Sequence, residues 1–71
     1  MRTKLDLHGI RHEDVDRLVE NFVLLNDSPM RIITGNSERM VELVLDVLNR
    51  HDFHWERWCN SYITVFDQHE R

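Results

Sequence analysis

The sequence predicts an α/β fold, a two-layer β-α-β-α-β-β sandwich with a four-stranded mixed sheet. Three observations carry that expectation. Two segments with apolar residues at helical spacing alternate with short runs at strand spacing. Each helix supplies the crossover that a parallel strand pair needs. The last two strand-like runs are separated only by Asn60-Ser61, a spacing that suits an antiparallel hairpin. Both helices are one-sided, so one sheet face is expected to be covered and the other less so.

The elements follow in chain order. Thr3 to His8 (TKLDLH) alternates polar and apolar, with Leu5 and Leu7 on one side, the period of a half-buried strand, and Gly9 ends it. From about Glu13 to Leu25, Val15, Leu18, Val19 and Phe22 recur on one helical face, opposite Glu13, Arg17 and Glu20. Glu13 and Asp14 in the first turn suit the helix dipole, and Asn26-Asp27-Ser28-Pro29 stops the helix. Met30 to Thr34 is a β-branched strand leading into Gly35-Asn36-Ser37. A second helix, capped by Asn36 or Ser37, is expected to run to about His51 with Val41, Val44, Leu45 and Leu48 inward. Phe53–Cys59 and Tyr62–Phe66 read as strands, and Asp67–Arg71 as a frayed polar tail. Alternation along the third strand puts Phe53, Trp55, Arg57 and Cys59 on one side and His54, Glu56 and Trp58 on the other. One tryptophan is thus expected in the core and one on the far sheet face, where packing or dimerisation ranks ahead of base stacking.

Seventy-one residues make one domain, 1–71, with its core over about 3–66. A chain this short buries only about 60% of its unfolded surface, enough for one modest core. No apolar run approaches the roughly 20 residues of a membrane span, so no membrane partner is expected. The lone Cys59 excludes an internal disulfide and fits a reducing, cytoplasmic setting. A free-standing small protein is expected. Thirteen acidic against nine basic residues give a net charge of −4. Nucleic-acid affinity comes largely from Lys and Arg on phosphates, so such a role must rest on a local basic patch or on a partner that delivers the substrate.

Two stretches carry chemistry. If Leu5 and Leu7 face the helices, Asp6 and His8 share the other side at a strand end. Imidazole titrates near neutral pH and a carboxylate can orient it, so the pair suits acid–base work, although two solvated polar residues would read the same way. Thr34-Gly35-Asn36-Ser37 leads a strand through a glycine turn into a helix, which aims backbone N–H groups at an anion; Arg39 stands in the helix's first turn. The plain alternative is an ordinary capped turn. Both stretches lie at the carboxyl edge of parallel strands, where open α/β sheets place ligands. Gly9, Arg11 and His12 flank the first stretch, and Arg2 with Lys4 adds a small positive patch. Structural zinc wants four closely spaced ligands. His8 and His12 straddle a strand end and a loop, with Cys59 on the far hairpin, so no metal set is expected.

LDLHG at Leu5–Gly9, an amphipathic helix, the ITG turn at Ile33–Gly35, a second amphipathic helix and a closing hairpin together resemble the small MutS-related (Smr) domain, over roughly Thr3 to Phe66. The resemblance implies a fold similar to the C-terminal domain of translation initiation factor 3. It also implies activities from DNA nicking to endonucleolytic cleavage of mRNA on stalled ribosomes. By position, Asp6 and His8 would be the catalytic pair and Gly35 with its neighbours the phosphate turn. Ser37 stands where the family has a second glycine, and a Cβ there would be unfavourable if the position takes positive φ.

The function expected is that of an Smr-like endonuclease, with RNA cleavage by acid–base chemistry ahead of DNA nicking. No cofactor is required by that chemistry, and dependence on a divalent cation is left open. The alternative is a non-catalytic module binding nucleic acid, the ribosome or another protein. A monomer or weak homodimer is expected.

Overall fold

The computed structural model describes residues 3–26 and 29–68. Its elements are β1 (Thr3–Asp6), α1 (His12–Leu25), β2 (Met30–Ile33), α2 (Glu38–Arg50), β3 (Phe53–Glu56) and β4 (Tyr62–Gln68). They form an α/β structure with a four-stranded mixed sheet of order β1-β2-β4-β3. β1 and β2 are parallel, and β4 runs antiparallel to both of its neighbours. No helix among the described residues is long and apolar enough to cross a membrane.

The strands are legible from alternation. Met30 and Ile32 on β2, Ile63 and Val65 on β4, and Leu7 just past β1 are buried. They meet Val15, Val19 and Val23 of α1 and Met40, Val41, Val44, Val47 and Leu48 of α2. At about 25 cal/mol per Å² of apolar surface, this single layer is the main stabilising contact of the domain. Trp55 packs against the core while its indole N–H donates to Asn49 Oδ1 at 2.9 Å, tying β3 to α2. The two helices are joined at their outer edge by Arg50, which contacts Asp16 at 2.7 Å and Asp46 at 2.8 Å. His51 Nε2 lies 3.0 Å from Glu20 Oε2.

Several boundaries move. β1 stops at Asp6 rather than His8, because the chain turns at Gly9. α1 begins at His12, with Arg11 at its N-cap; it buries Val23 with the expected Val15 and Val19, whereas Leu18 and Phe22 are half-buried. Glu20 is half-buried rather than outward, held by His51. β3 ends at Glu56, so Arg57 to Cys59 form part of a longer connection. β4 runs to Gln68 and not Phe66, because it pairs past an irregularity as far as Phe53. Of the expected tail, 67 and 68 are therefore strand, whereas 69–71, like Arg2 and the turn residues Asp27 and Ser28, lie outside the described residues.

The sheet has one open face. The register aligns Lys4, Arg31, Thr64 and Glu56 in one row across β1, β2, β4 and β3. Asp6, Ile33 and Tyr62 form the next row on that side.

Candidate functional site

The carboxyl ends of β1 and β2 adjoin through Leu7 N–H, which donates to Ile33 O at 2.9 Å. Asp6 Oδ1 accepts the backbone N–H of His8 at 2.9 Å. Ile10 N–H donates to Leu7 O at 2.9 Å, closing a four-residue turn in which Gly9 takes φ +84°. Positive φ at the third position of such a turn calls for glycine, and a Cβ there would meet nothing within 4 Å. Gly9 is thus fixed by backbone conformation and not by crowding.

The turn leaves His8 exposed, with no side-chain hydrogen bond or ion pair among the described residues. Asp6 and His8 lie together at the edge, but His8 sits in the turn past β1 rather than on the strand whose alternation was to place it. The carboxylate, however, holds the histidine's backbone amide rather than its ring. Asp6 fixes where the imidazole is carried and does not form an Asp–His side-chain pair.

The second turn is built differently from the expectation. Thr34 N–H and Gly35 N–H both donate to Ser61 O, at 2.8 and 3.0 Å. The buried Thr34 hydroxyl lies 3.1 Å from Gly35 O and 3.3 Å from Ser61 O. These groups anchor the turn to the β3–β4 connection, so Thr34 and Gly35 serve the scaffold rather than offering amides to a ligand. Gly35 is at φ +67°. Asn36 is exposed at the crest of the turn.

Ser37 is the N-cap of α2, with φ −89°, and its hydroxyl accepts Met40 N–H at 3.1 Å. The position needs no positive φ, so a serine in place of a second glycine carries no backbone penalty and gains a cap. It also resolves the choice of cap between Asn36 and Ser37. The first amides of α2 have no intrahelical acceptor and point out of the helix end.

The cations at this edge are occupied. Arg11 pairs with Glu13 at 3.0 Å, and Arg39 with Glu42 at 3.1 Å. All four side chains are well over half exposed, so each pair is worth only about 0–1 kcal/mol and exchanges readily for a phosphate. Glu38 pairs with Arg57 at 2.9 Å, and that hydrogen bond holds its carboxyl below the usual range. A charged Glu38 in the first turn of α2 opposes an incoming anion. His12 heads α1, exposed, beside Ile10, Arg11 and Glu13, which together line a shallow open concavity of about 500 Å³. No group of three or more His, Cys, Asp or Glu suited to a metal ion occurs among the described residues.

The chain matches no family model, no curated protein and no solved structure. The likeness to the Smr domain therefore rests on LDLHG, ITG and the order of elements.

Sequence reasoning expected a less covered sheet face with one tryptophan on it, but missed the grouping of Arg31, Tyr62 and Thr64 there. Arg31 lies over the Tyr62 ring, 4.2 Å from its centroid, with no carboxylate partner among the described residues. Thr64 is 8% exposed, and its hydroxyl has no hydrogen-bond partner among the described residues. Trp58 is 62% exposed, and its N–H donates to Glu56 Oε1 at 2.7 Å. The available signal was an arginine at the outward position of the otherwise apolar strand MRII.

Proposed function

We propose that this chain is an Smr-like nucleic-acid-processing domain that cleaves RNA at the carboxyl edge of β1 and β2, with His8 as its acid–base group. The observation that carries the reading is an exposed imidazole, without a side-chain partner among the described residues, on the Gly9 turn at the sheet edge where β2 leads into α2. His8 accepts the proton of a ribose 2′-hydroxyl, whose oxygen attacks the adjacent phosphorus. The bond to the 5′-oxygen breaks, and that oxygen is protonated by solvent. The products are a 2′,3′-cyclic phosphate and a 5′-hydroxyl.

Asp6 positions His8 through its backbone amide. The first amides of α2, with Arg39 and Arg11 released from their glutamates, stabilise charge on the phosphate. DNA lacks the 2′-hydroxyl and cannot follow this route, which is why RNA is preferred to DNA in this reading.

The test is cleavage of end-labelled RNA with and without EDTA. Activity that survives EDTA and disappears in His8→Ala supports the mechanism, whereas activity unchanged by His8→Ala overturns it. A second reading, a non-catalytic module for the ribosome or another protein, is favoured by the acids at both helix starts, Glu13, Asp14 and Glu38. A salt-insensitive protein complex without RNA or DNA binding at low salt would support it.

A further inference from the structure

Among the described residues, Arg11, Arg17, Arg39, Arg50 and Arg57 each pair with a carboxylate. Lys4 and Arg31 are the exceptions, and they are register partners on the open face of the sheet. The chain's net charge is −4, yet these two cations, uncommitted among the described residues, stand side by side. Arg31 is held over the Tyr62 ring, a contact that places the guanidinium while leaving its N–H donors without a partner among the described residues.

Next to Arg31 in the same row is Thr64. Arg31, Trp58, Thr64 and Phe66 line a pocket of about 260 Å³ over β2 and β4. That is slightly smaller than the roughly 300–1,000 Å³ of pockets for drug-sized ligands, and it suits a single planar ring system. The Thr64 hydroxyl is buried in its wall without a partner. Buried polar groups are nearly always satisfied, so an orphan at a pocket wall marks the place where a ligand atom belongs. Trp58 projects from the β3–β4 connection, and its indole is fixed by Glu56. The other oxygen of Glu56 lies 3.5 Å from His54 Nε2, so the one carboxylate in this row is engaged away from Arg31.

From these contacts we infer that the open sheet face binds one nucleotide of a single-stranded nucleic acid. Its base stacks on Trp58 and Phe66 and hydrogen-bonds Thr64 Oγ1, and its phosphate sits on Arg31 and Lys4. Stacking on exposed aromatics beside a cationic track is how single strands are held without duplex geometry. A base inside a duplex is already stacked and cannot enter, so the site selects single strands. Lys4 precedes Asp6 by two residues on the same face, about 7 Å along β1, so the bound strand continues toward His8. A second copy of this chain is a poorer occupant, because a two-fold contact centred here would bring Lys4 and Arg31 against their own equivalents. The inference rests on the nucleic-acid reading above but not on cleavage.

The test is fluorescence anisotropy with labelled oligo-uridine, oligo-thymidine and a duplex control, titrated with salt. Both single strands are expected to bind ahead of the duplex. Trp58→Ala should weaken binding about tenfold. Arg31→Gln should reduce the slope of log affinity against log salt by about 0.7, one single-strand phosphate contact. Thr64→Val should weaken binding without lowering the melting temperature, which separates a lost ligand contact from a damaged fold. Unchanged affinity in Trp58→Ala and Arg31→Gln, with native circular dichroism, overturns the inference. So does a dimer, seen by sedimentation, that Trp58→Ala dissolves while no oligonucleotide binds. Cleavage lost in His8→Ala alongside Trp58-independent binding refutes this site alone. Trp58-dependent binding without any cleavage refutes the nuclease alone.

Discussion

Thr64→Val tests the orphan hydroxyl without any ligand. β4 lies between β2 and β3, and Thr64 is 8% exposed with its Oγ1 unpartnered. An unsatisfied buried polar group costs about 1–3 kcal/mol. Valine keeps the β-branched shape, replaces that oxygen with a methyl group and has good strand propensity. The substitution should therefore stabilise the free protein by about 1 kcal/mol, taking the lower end because the site opens into a pocket. For a domain of this length that is roughly 4–8 °C in melting temperature. Thr64→Ser keeps the hydroxyl and deletes the methyl, so it should cost about 1 kcal/mol. Urea denaturation followed by Trp55 fluorescence reads both, since Trp55 lies between the core and α2. The expected order is Val, then Thr, then Ser. If Val is no more stable than Thr, the hydroxyl is satisfied in solution and no longer marks a ligand position.

The remaining predictions concern the two turns and the acid limb. Ser37→Ala should cost about 1 kcal/mol through the lost cap to Met40, whereas Ser37→Gly should cost only a few tenths; chemical denaturation distinguishes them, and equal losses would mean the cap contributes nothing. Gly35→Ala places a Cβ at φ +67°, so a loss of about 1–2 kcal/mol is expected from backbone strain alone, nothing lying within 4 Å. Asp16 is held below the ordinary aspartate range first by its hydrogen bond to Arg50. Its contribution is therefore present above the unfolded-state pKa and lost as pH falls through the depressed folded value. Asp16→Asn should lower the urea midpoint near neutrality and flatten the acid side of its pH plot by the same amount, a small one because the pair is exposed. An acid limb as steep as that of the unmodified protein would assign the pH dependence to other carboxylates.

The order of elements was legible because alternation and helical spacing are local. Val15, Val19, Val44 and Leu48 declare a buried helical face, and Leu7, Ile32 and Ile63 an inward strand position, without knowledge of the partner. Strand ends were not legible, since the end of β4 depends on pairing with Phe53 across an irregularity and the end of β1 on the Gly9 turn. At the edge, the bonds differ from those the sequence suggests. Asp6 takes a backbone amide and not the imidazole, and the Thr34 and Gly35 amides are claimed by Ser61, a residue 27 positions from Thr34. No local pattern encodes an acceptor that far away. Arg31 and Thr64 escaped for the same reason, because they become neighbours only when β2 pairs with β4.

The acidic net charge weighs less against a nucleic-acid role once the charges have positions. The carboxylates in ion pairs with Arg17 and Arg50 lie on helices on the covered side of the sheet. A helix is about 10–12 Å across, and the Debye length at physiological salt is about 8 Å. Charges on the outer helical surfaces are thus largely screened from the opposite face, where Lys4 and Arg31 stand uncommitted. The carboxylates that do share the sheet face are engaged, Asp6 with an amide and Glu56 with Trp58 and His54. A polyanion approaching the sheet meets two free cations and an aromatic platform. One approaching the helix starts meets Glu13, Asp14 and Glu38 first. In the proposed reading, this distribution of charge favours entry of a single strand across the open sheet toward His8 along β1, with the helical layer turned away from it.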